Sequence, residues 1–341
     1  MRLSFRSFLH MTVAATIARA GTIPHAPRIS HLILDFDETL TTHDTIDPLA
    51  TAAYSLQAKL NPSNSIPPWS FFTDSYGADY DALISSLPPA SSRTSVRAEF
   101  QYLASLCPVE RASIERIESH GVFANLPIAS LSSLAPSHVT LRPGWFSHLV
   151  RPALSRGVKV SILSVNWSTG WIIEALRAGA ISEGGDEESL DGVEVMSNDL
   201  VVDEKGVTTG KLTRWFEEED KGMWTAREKR VVLDEYLECG KYEKKGGKGK
   251  KKKGLNVYVG DSSTDLEAMW GVDVGVYIGS KMVKTLERIG VDLVDSEDVD
   301  GVKDFLSKKK RARKPKLLRV DQMEQLGKFL GFDGEAVVEE K

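Results

Sequence analysis

Four short apolar runs, each rich in β-branched residues, most constrain how this chain of 341 residues can fold. They lie at 31–36, 158–165, 255–260 and 272–279. Helical patterns accompany them at 167–178, 226–238 and 264–270. Continuous apolar runs of this length are typical of parallel strands that helices cover on both faces. The alternation of strands and helices therefore predicts a doubly wound, Rossmann-like α/β fold with a parallel sheet.

The composition is that of a protein with a buried core. Hydrophobic residues make up 41% of the chain and charged residues 27%, which is unlike a disordered chain. No uncharged apolar run reaches the ~18 residues that a membrane span needs. The two cysteines, Cys107 and Cys239, exclude a disulfide-dense scaffold and a cysteine-based zinc site.

Residues 43–140 differ from the rest, because helical segments with Pro- and Ser-rich breaks replace the strand alternation. The segment 191–212 predicts a small β-hairpin that turns at 204–206. The predicted organisation is an N-terminal extension at 1–29, an α/β core at 30–42 and 141–300, a helical cap at 43–140, a Lys/Gly-rich loop insertion at 241–254, and a basic tail with a short helix at 301–341.

The net charge of -5 conceals two basic tracts. Residues 241–253 hold eight lysines and one acid, and residues 308–319 hold eight basic residues and no acid. The remainder is acidic, so broad nucleic-acid binding is not expected. The run 308–316 permits two interpretations, a nuclear-localisation or anionic-surface patch and a solvated linker.

The first 34 residues contain no Asp or Glu and include Arg2, Arg6 and Arg19. This composition is compatible with a mitochondrial presequence, with a secretory signal or with an ordinary N-terminal extension. We expect a cytoplasmic or mitochondrial location, with a nuclear one open through the run 308–316.

The first apolar run ends in Asp35-Phe36-Asp37-Glu38-Thr39. Two carboxylates at i and i+2 beyond a strand end point the same way. One can attack while the other moves protons, or both can help to hold a hard cation. Because ligands bind beyond the carboxyl ends of strands in open α/β sheets, this is a candidate catalytic site.

Two further polar groups follow later strands. Ser164 ends the second run, where a hydroxyl and free N–H groups suit a phosphate oxygen. Gly260-Asp261-Ser262-Ser263-Thr264-Asp265 follows the third run, and its two aspartates are four residues apart. Each signal alone is weak. Their occurrence in this order, each after its own apolar strand, is much more specific.

These three motifs resemble those of the haloacid dehalogenase-like (HAD) hydrolase superfamily, over about 30–40 and 140–300. The segment 197–212 is also similar to the phosphoserine-phosphatase-like branch, whose helical cap is inserted between the first two motifs. The resemblance implies a Mg²⁺-dependent phosphatase. Asp37 argues against a dehalogenase, whose pattern lacks this second aspartate.

The resemblance also implies a role for each motif residue. Asp35 would be the nucleophile, and Asp37 the general acid and then the base. Asp35, Asp37 through its carbonyl oxygen, and Asp261 would hold Mg²⁺, while Asp265 would support that site or orient a lysine. The phosphate-binding residues would be Thr39, Ser164, Val165, Asn166 and Lys229.

The active-site lysine has two candidates. Lys229 begins an apolar-periodic helix before the third core strand, and Lys221 lies in a turn eight residues earlier. The spacing favours Lys229 once the lysine-rich tract is treated as an insertion. The opposing interpretation of Lys229 is a solvated helix residue paired with a neighbouring glutamate.

A set of aromatic residues in the helical cap has two interpretations as well. They are either the core of the cap or, for one or two of them, substrate contacts; the set is Trp69, Phe71, Phe72, Tyr76 and Tyr80, with Trp167 as a similar candidate. The expected substrate is a small phosphorylated metabolite. The alternatives are a phosphotransferase or phosphomutase on the same scaffold, and a non-catalytic binding or regulatory protein.

Overall fold

The computed structural model describes residues 28–242, 254–298, 301–302, 305 and 315–332, with the backbone alone at 239–242. Almost all of the N-terminal extension, most of the lysine-rich loop and nearly the whole basic run 308–316 lie outside the described residues. Within the described ranges, no helix combines the length and hydropathy that a membrane crossing requires.

A parallel sheet of seven strands forms the centre of the described structure. The strands of the two sheets are β1 (Ile29–Leu34), β2 (Ala124–Pro127), β3 (Lys159–Ser164), β4 (Val193–Ser197), β5 (Leu200–Val202), β6 (Val207–Leu212), β7 (Leu255–Gly260), β8 (Val274–Ile278), β9 (Asp292–Asp295) and β10 (Lys316–Val320). The large sheet has the order β4-β3-β1-β7-β8-β10-β9, and every pair in it is parallel. Because the chain winds outward from β1 in both directions, the predicted doubly wound fold is confirmed.

The helices flank this sheet and fill the insert between β1 and β3. They are α1 (Ile46–Leu60), α2 (Trp69–Ser86), α3 (Val96–Ser105), α4 (Cys107–Ser119), α5 (Ile128–Ser132), α6 (Ala135–His138), α7 (Arg151–Ser155), α8 (Thr169–Ser182), α9 (Ala226–Tyr242), α10 (Leu266–Trp270), α11 (Val283–Arg288) and α12 (Met323–Phe329). Helices α1 to α6 lie within the range 43–140 that the sequence marked as helical.

Side-chain alternation gives the large sheet two apolar faces. On β7, Val257 and Val259 join one buried cluster and Tyr258 joins the other, because successive strand residues point to opposite faces. Trp171 of α8 and Met323 of α12 belong to the first cluster, whereas residues of α9, α10 and α11 belong to the second. Both faces are therefore covered, as the continuous apolar strands predicted.

The predicted hairpin at 191–212 begins too early. Its first part is β4, which pairs parallel to β3 in the large sheet, whereas β5 and β6 form the antiparallel hairpin. β6 also pairs with β2, a strand that we did not expect inside the helical insert. Local alternation predicts that a segment is extended, but it does not identify the partner strand.

The α/β sheet continues past residue 300, where we expected the core to end. β10 lies between β8 and β9 and pairs with both. Leu317 and Leu318 are buried on its two faces. The basic residues around this short apolar segment concealed its strand pattern, so a tail was predicted instead.

Candidate active site

The parallel register brings the three motifs to one edge of the large sheet. Leu34 of β1 pairs with Ile162 of β3 and with Val259 of β7. Asp35 and Ser164 therefore end adjacent strands at nearly the same level. The loop 261–265 after β7, here called the aspartate-rich loop, lies on the other side of Asp35. This is the edge at which open α/β sheets bind their ligands.

A buried lysine joins two of the carboxylates. Lys229 Nζ, in the first turn of α9, donates to Asp35 Oδ1 at 2.5 Å and to Asp265 Oδ1 at 2.6 Å. The lysine side chain is 0% exposed. Tyr258 Oη donates to the same Asp265 oxygen at 2.7 Å. Lys229 is thus a fixed internal cation rather than a solvated helix residue.

The site holds more potential negative charge than the lysine can offset. Asp35, Asp261 and Asp265 place carboxylate oxygens within 4.8 Å of one another. Burial and the charge of Asp265 raise the pKa of Asp35 well above its ordinary value and raise that of Asp261 to about 8. Although burial lowers the pKa of Lys229, Asp265 and Asp35 raise it overall. A second cation would relieve this imbalance.

Asp265 uses both of its oxygens within the protein. Oδ1 accepts from Lys229 and Tyr258, while Oδ2 accepts the N–H groups of Asp261 and Ser262 at 3.1 and 3.0 Å and the Ser262 hydroxyl at 3.1 Å. Of the two roles open to it, the geometry favours orienting the lysine and the loop over binding a metal.

The carboxylates of Asp35 and Asp261 accept fewer hydrogen bonds from the described residues than that of Asp265. Asp35 accepts from Lys229 through Oδ1, and Asp261 Oδ1 accepts from the Thr39 hydroxyl at 3.2 Å. Carboxylate oxygens are the donors that a small hard cation such as Mg²⁺ prefers. The donor set therefore fits Mg²⁺ through Asp35 and Asp261.

Asp37 has a separate set of partners. Its Oδ1 accepts the Thr45 N–H at 2.9 Å and the Thr45 hydroxyl at 2.5 Å, and its Oδ2 accepts from Asn166 Nδ2 at 2.9 Å. Burial raises the pKa of Asp37, and the hydrogen bonds from Thr45 and Asn166 offset part of that rise. The protonated form is therefore more favoured than in an ordinary aspartate, as a general acid requires.

Thr45→Val tests this support of Asp37. The variant loses the hydroxyl donor, so the pKa of Asp37 should rise further, because that bond favours the ionised form. In the pH profile of kcat/KM for hydrolysis of a phosphate ester, the activity that the motif resemblance implies, we expect the alkaline limb to move up by about one pH unit. Thr51→Val, on the exposed face of α1, is the control. An unchanged limb in Thr45→Val would contradict the general-acid role that the motif resemblance implies for Asp37.

The sequence analysis missed Thr45 and Tyr258. A helix-start signal was available at Thr45, which directly precedes α1 with Pro48 in its first turn. A signal was also available at Tyr258, because a tyrosine within a buried strand needs a partner for its hydroxyl. Neither signal identifies the partner, since Asp37 and Asp265 meet these residues only in the folded chain.

The residues predicted to bind phosphate lie together but differ in their contacts. Ser164 is buried, and its Oγ accepts the Asn166 N–H at 3.1 Å. The Val165 carbonyl accepts from Asn198 at 2.9 Å. The Asn166 side chain donates to Asp37, and the Thr39 hydroxyl donates to Asp261 in the aspartate-rich loop after β7.

Lys221, the other lysine candidate, lies away from Asp35. Its Nζ is 2.5 Å from Glu219 and 3.1 Å from Glu228. The structure therefore places Lys229 at the carboxylates and Lys221 in a separate ion pair.

The aromatic residues of the insert divide into two groups. Trp69, Phe72 and Tyr76 line a cavity of about 330 Å³ together with Trp167. Tyr80 instead shares a hydrogen bond with Tyr102 at 2.8 Å. Phe72 is also buried in the first apolar cluster, so it belongs to the core, while substrate contact by the cavity-lining rings stays a prediction.

The sheet order defines the chain as a doubly wound α/β protein, and the three motifs that resemble those of HAD-like hydrolases meet at one edge of its sheet. No family model matches the chain. A CTO1 family protein of Schizosaccharomyces pombe is 35% identical over 149 residues, 42% of this chain and 48% of that protein. The chain thus spans about half the length of this relative.

Two further relatives align over more of the chain. Cold tolerance protein 1 of Saccharomyces cerevisiae is 26% identical over 257 residues, 69% of this chain and 74% of that protein. The mitochondrial bifunctional TH2 protein of Arabidopsis thaliana is 23% identical over 270 residues, 75% of this chain and 40% of that protein.

The chain is also similar to solved structures. A phospho-aspartyl intermediate analogue of phosphoserine phosphatase aligns with a TM-score of 0.40 and 16% identity, over 76% of this chain and 91% of that one. Cytosolic 5′-nucleotidase IIIB bound to cytidine aligns with a TM-score of 0.46 and 13% identity, over 91% and 87%.

Proposed function

We propose that this protein is a Mg²⁺-dependent phosphatase that hydrolyses a small phosphomonoester through an aspartyl-phosphate on Asp35. The observation that carries the proposal is the different support of two aspartates at one strand end. Lys229, a buried cation, donates to Asp35 at 2.5 Å, whereas Asp37 accepts from neutral groups, the Thr45 N–H and hydroxyl and the Asn166 amide. Two carboxyl groups with such different surroundings suit a nucleophile and an acid.

In the first step, an Asp35 oxygen attacks phosphorus and forms an acyl phosphate. The bond from phosphorus to the ester oxygen breaks, and Asp37 gives its proton to that oxygen, which therefore leaves as a hydroxyl group and not as an alkoxide. Lys229 holds Asp35 in place. The Ser164 hydroxyl ends the adjacent strand, where it can donate to a phosphoryl oxygen.

In the second step, the Asp37 carboxylate takes a proton from water as the water oxygen attacks phosphorus. The bond between phosphorus and Asp35 breaks, which releases inorganic phosphate and returns both aspartates to their starting forms. Thr45 and Asn166 keep Asp37 in one position through both proton transfers.

Asp35 and Asp261 would hold the Mg²⁺ ion, with the Asp37 carbonyl oxygen that the motif resemblance implies. When bound, the ion offsets the repulsion between the nucleophile and the phosphate dianion. The helical insert would act as the cap, because helices α1, α2 and α4 cover the cavity beside the site. A cavity of about 330 Å³ suits the alcohol of a small metabolite.

Phosphate release from a panel of small phosphomonoesters tests the proposal. We expect release with Mg²⁺, a fall of about 100-fold in EDTA, and recovery when Mg²⁺ is restored. Release that is indifferent to EDTA would contradict the metal assignment. Product analysis with added alcohols separates hydrolysis from transfer, because a new phosphate ester in place of inorganic phosphate would contradict a hydrolase.

A further inference from the structure

The cavity beside the catalytic edge has a chemistry that constrains the alcohol part of the substrate. It is bounded by α1, α2 and α4, by the loop after β3, and by the segment before α9. It reaches the catalytic residues at two points. Val165 directly follows Ser164, and Asp44 directly precedes Thr45, which donates to Asp37. A group bound here is therefore placed as the leaving group of the phosphate ester.

Aromatic rings form much of the cavity wall. Those that line it are Trp69, Phe72, Tyr76, Trp167 and Trp224. Trp69 and Phe72 pack with ring centroids 5.6 Å apart, and Trp167 is held edge-on by Phe123 at 6.1 Å. Such a wall offers π faces to an apolar occupant, and π faces attract positive charge.

Carboxylates supply the charge of the same wall. Asp44, Asp47 and Glu110 line it, and among the described lining residues none is a lysine, an arginine or a histidine. Two of the acids are held by the aromatic residues, since Trp69 Nε1 donates to Asp47 at 2.7 Å and Tyr76 Oη donates to Glu110 at 2.8 Å. The carboxylates are therefore fixed beside the rings.

The neighbouring guanidinium groups do not reverse this charge. Those of Arg111 and Arg214 lie 5.3 and 5.6 Å from the ring centre of Trp224. Arg214 pairs with Glu118 at 3.0 Å, and Arg111 lies 3.9 Å from Asp220. Their charges are already partnered by acids that do not line the cavity.

We infer that the leaving group is an alcohol that carries an organic cation with an apolar surface, such as a quaternary ammonium group. This inference rests on the proposed phosphatase function and adds its substrate class. Aromatic faces combined with carboxylates are the known chemistry of quaternary ammonium recognition. An alcohol that carries its own carboxylate would meet three acids and no base on this wall, so amino-acid phosphates are disfavoured.

A pair of substrates with equal shape and different charge tests the inference. Choline phosphate and 3,3-dimethylbutyl phosphate differ only in a nitrogen replaced by carbon and in the positive charge. We expect kcat/KM for choline phosphate to exceed that of its neutral counterpart by about tenfold or more. A ratio near one, with both esters hydrolysed, overturns the inference and leaves the phosphatase proposal intact.

Variants of the wall assign the preference to this cavity. Glu110→Gln and Asp47→Asn should each lower the ratio at least about threefold. Asp81→Asn is the matched control, because Asp81 is an exposed acid of helix α2 that lies outside the cavity. Burial raises the pKa of Glu110 to about 7, so the assays are run at pH 8. An unchanged ratio in both cavity variants contradicts the assignment.

A binding measurement separates failure of this inference from failure of the proposed function. Tryptophan fluorescence of the full chain is titrated with choline and with 3,3-dimethylbutan-1-ol, which needs no catalysis. Selective binding of choline supports the inference even if none of the esters is hydrolysed, whereas equal affinities contradict it even if hydrolysis is fast.

Discussion

Asp35→Asn should abolish Mg²⁺-dependent phosphate release, with a loss in kcat on the order of 10⁴-fold. The amide cannot form the acyl phosphate, and it removes a charged oxygen from the proposed metal site. Its shape is that of the native residue, and its oxygen can still accept from Lys229. Because burial raises the pKa of Asp35, the neutral amide should not lower the melting temperature.

The control for this variant is Asp81→Asn, the same change at an exposed position of α2. Both proteins are compared by initial rates on one ester and by thermal unfolding. Turnover of Asp35→Asn within tenfold of the native rate would contradict the nucleophile assignment. Loss of activity with an unchanged melting temperature would exclude misfolding as its cause.

Lys229→Met should have the second large effect, on stability as well as on activity. Lys229 is the cation between Asp35 and Asp265, and all three residues are buried. Methionine fills a similar volume without charge, which leaves the carboxylates uncompensated. We expect the free energy of unfolding in EDTA to fall by about 3 kcal/mol and kcat/KM to fall by about 100-fold.

The pH dependence of this destabilisation follows from the carboxyl groups. Without the lysine, the folded-state pKa of Asp35 lies still further above its unfolded value. The folded form therefore binds more protons than the unfolded form, and stability decreases as the pH rises. The loss relative to the native protein should be larger at pH 8 than at pH 5.5, as measured by urea unfolding.

Lys221→Met provides the matched control, because Lys221 is the other candidate for the active-site lysine. Its side chain is 17% exposed and pairs with Glu219 and Glu228. We expect a stability loss of about 1 kcal/mol and retained activity. If Lys221→Met lost activity while Lys229→Met kept it, the lysine assignment would be reversed.

In the two proposals, one region of the site binds the negative phosphate and the neighbouring cavity binds a positively charged group. At the strand ends, Lys229 and the expected Mg²⁺ balance the acids and a phosphate dianion. In the cavity, Asp47 and Glu110 are balanced by no described lining base, and the substrate would supply the positive charge. A phosphate ester of a cationic alcohol has this distribution of charge along its length.

Sequence alone located most of the residues at the catalytic edge. Strand-end positions follow from apolar runs, since a polar residue directly after a buried strand lies at the sheet edge whatever the details of packing. Asp35, Ser164 and Asp261 were found in this way. The order of the motifs then indicated the fold, although the extent of the core beyond residue 300 was missed.

The contacts between distant segments were decided only by the tertiary structure. Spacing along the chain favoured Lys229 over Lys221, but spacing does not show which of the two side chains enters the sheet edge. The hydrogen bonds from Thr45 to Asp37 depend on how the chain turns between β1 and α1. The bond from Lys229 to Asp265 joins residues that are 36 positions apart. Neither contact can be read from a local sequence pattern. The cavity depends on folding in the same way, since its aromatic and acidic residues come from five separate segments.

Local patterns determine which residues end a strand or line a helix face, whereas packing determines which of them meet.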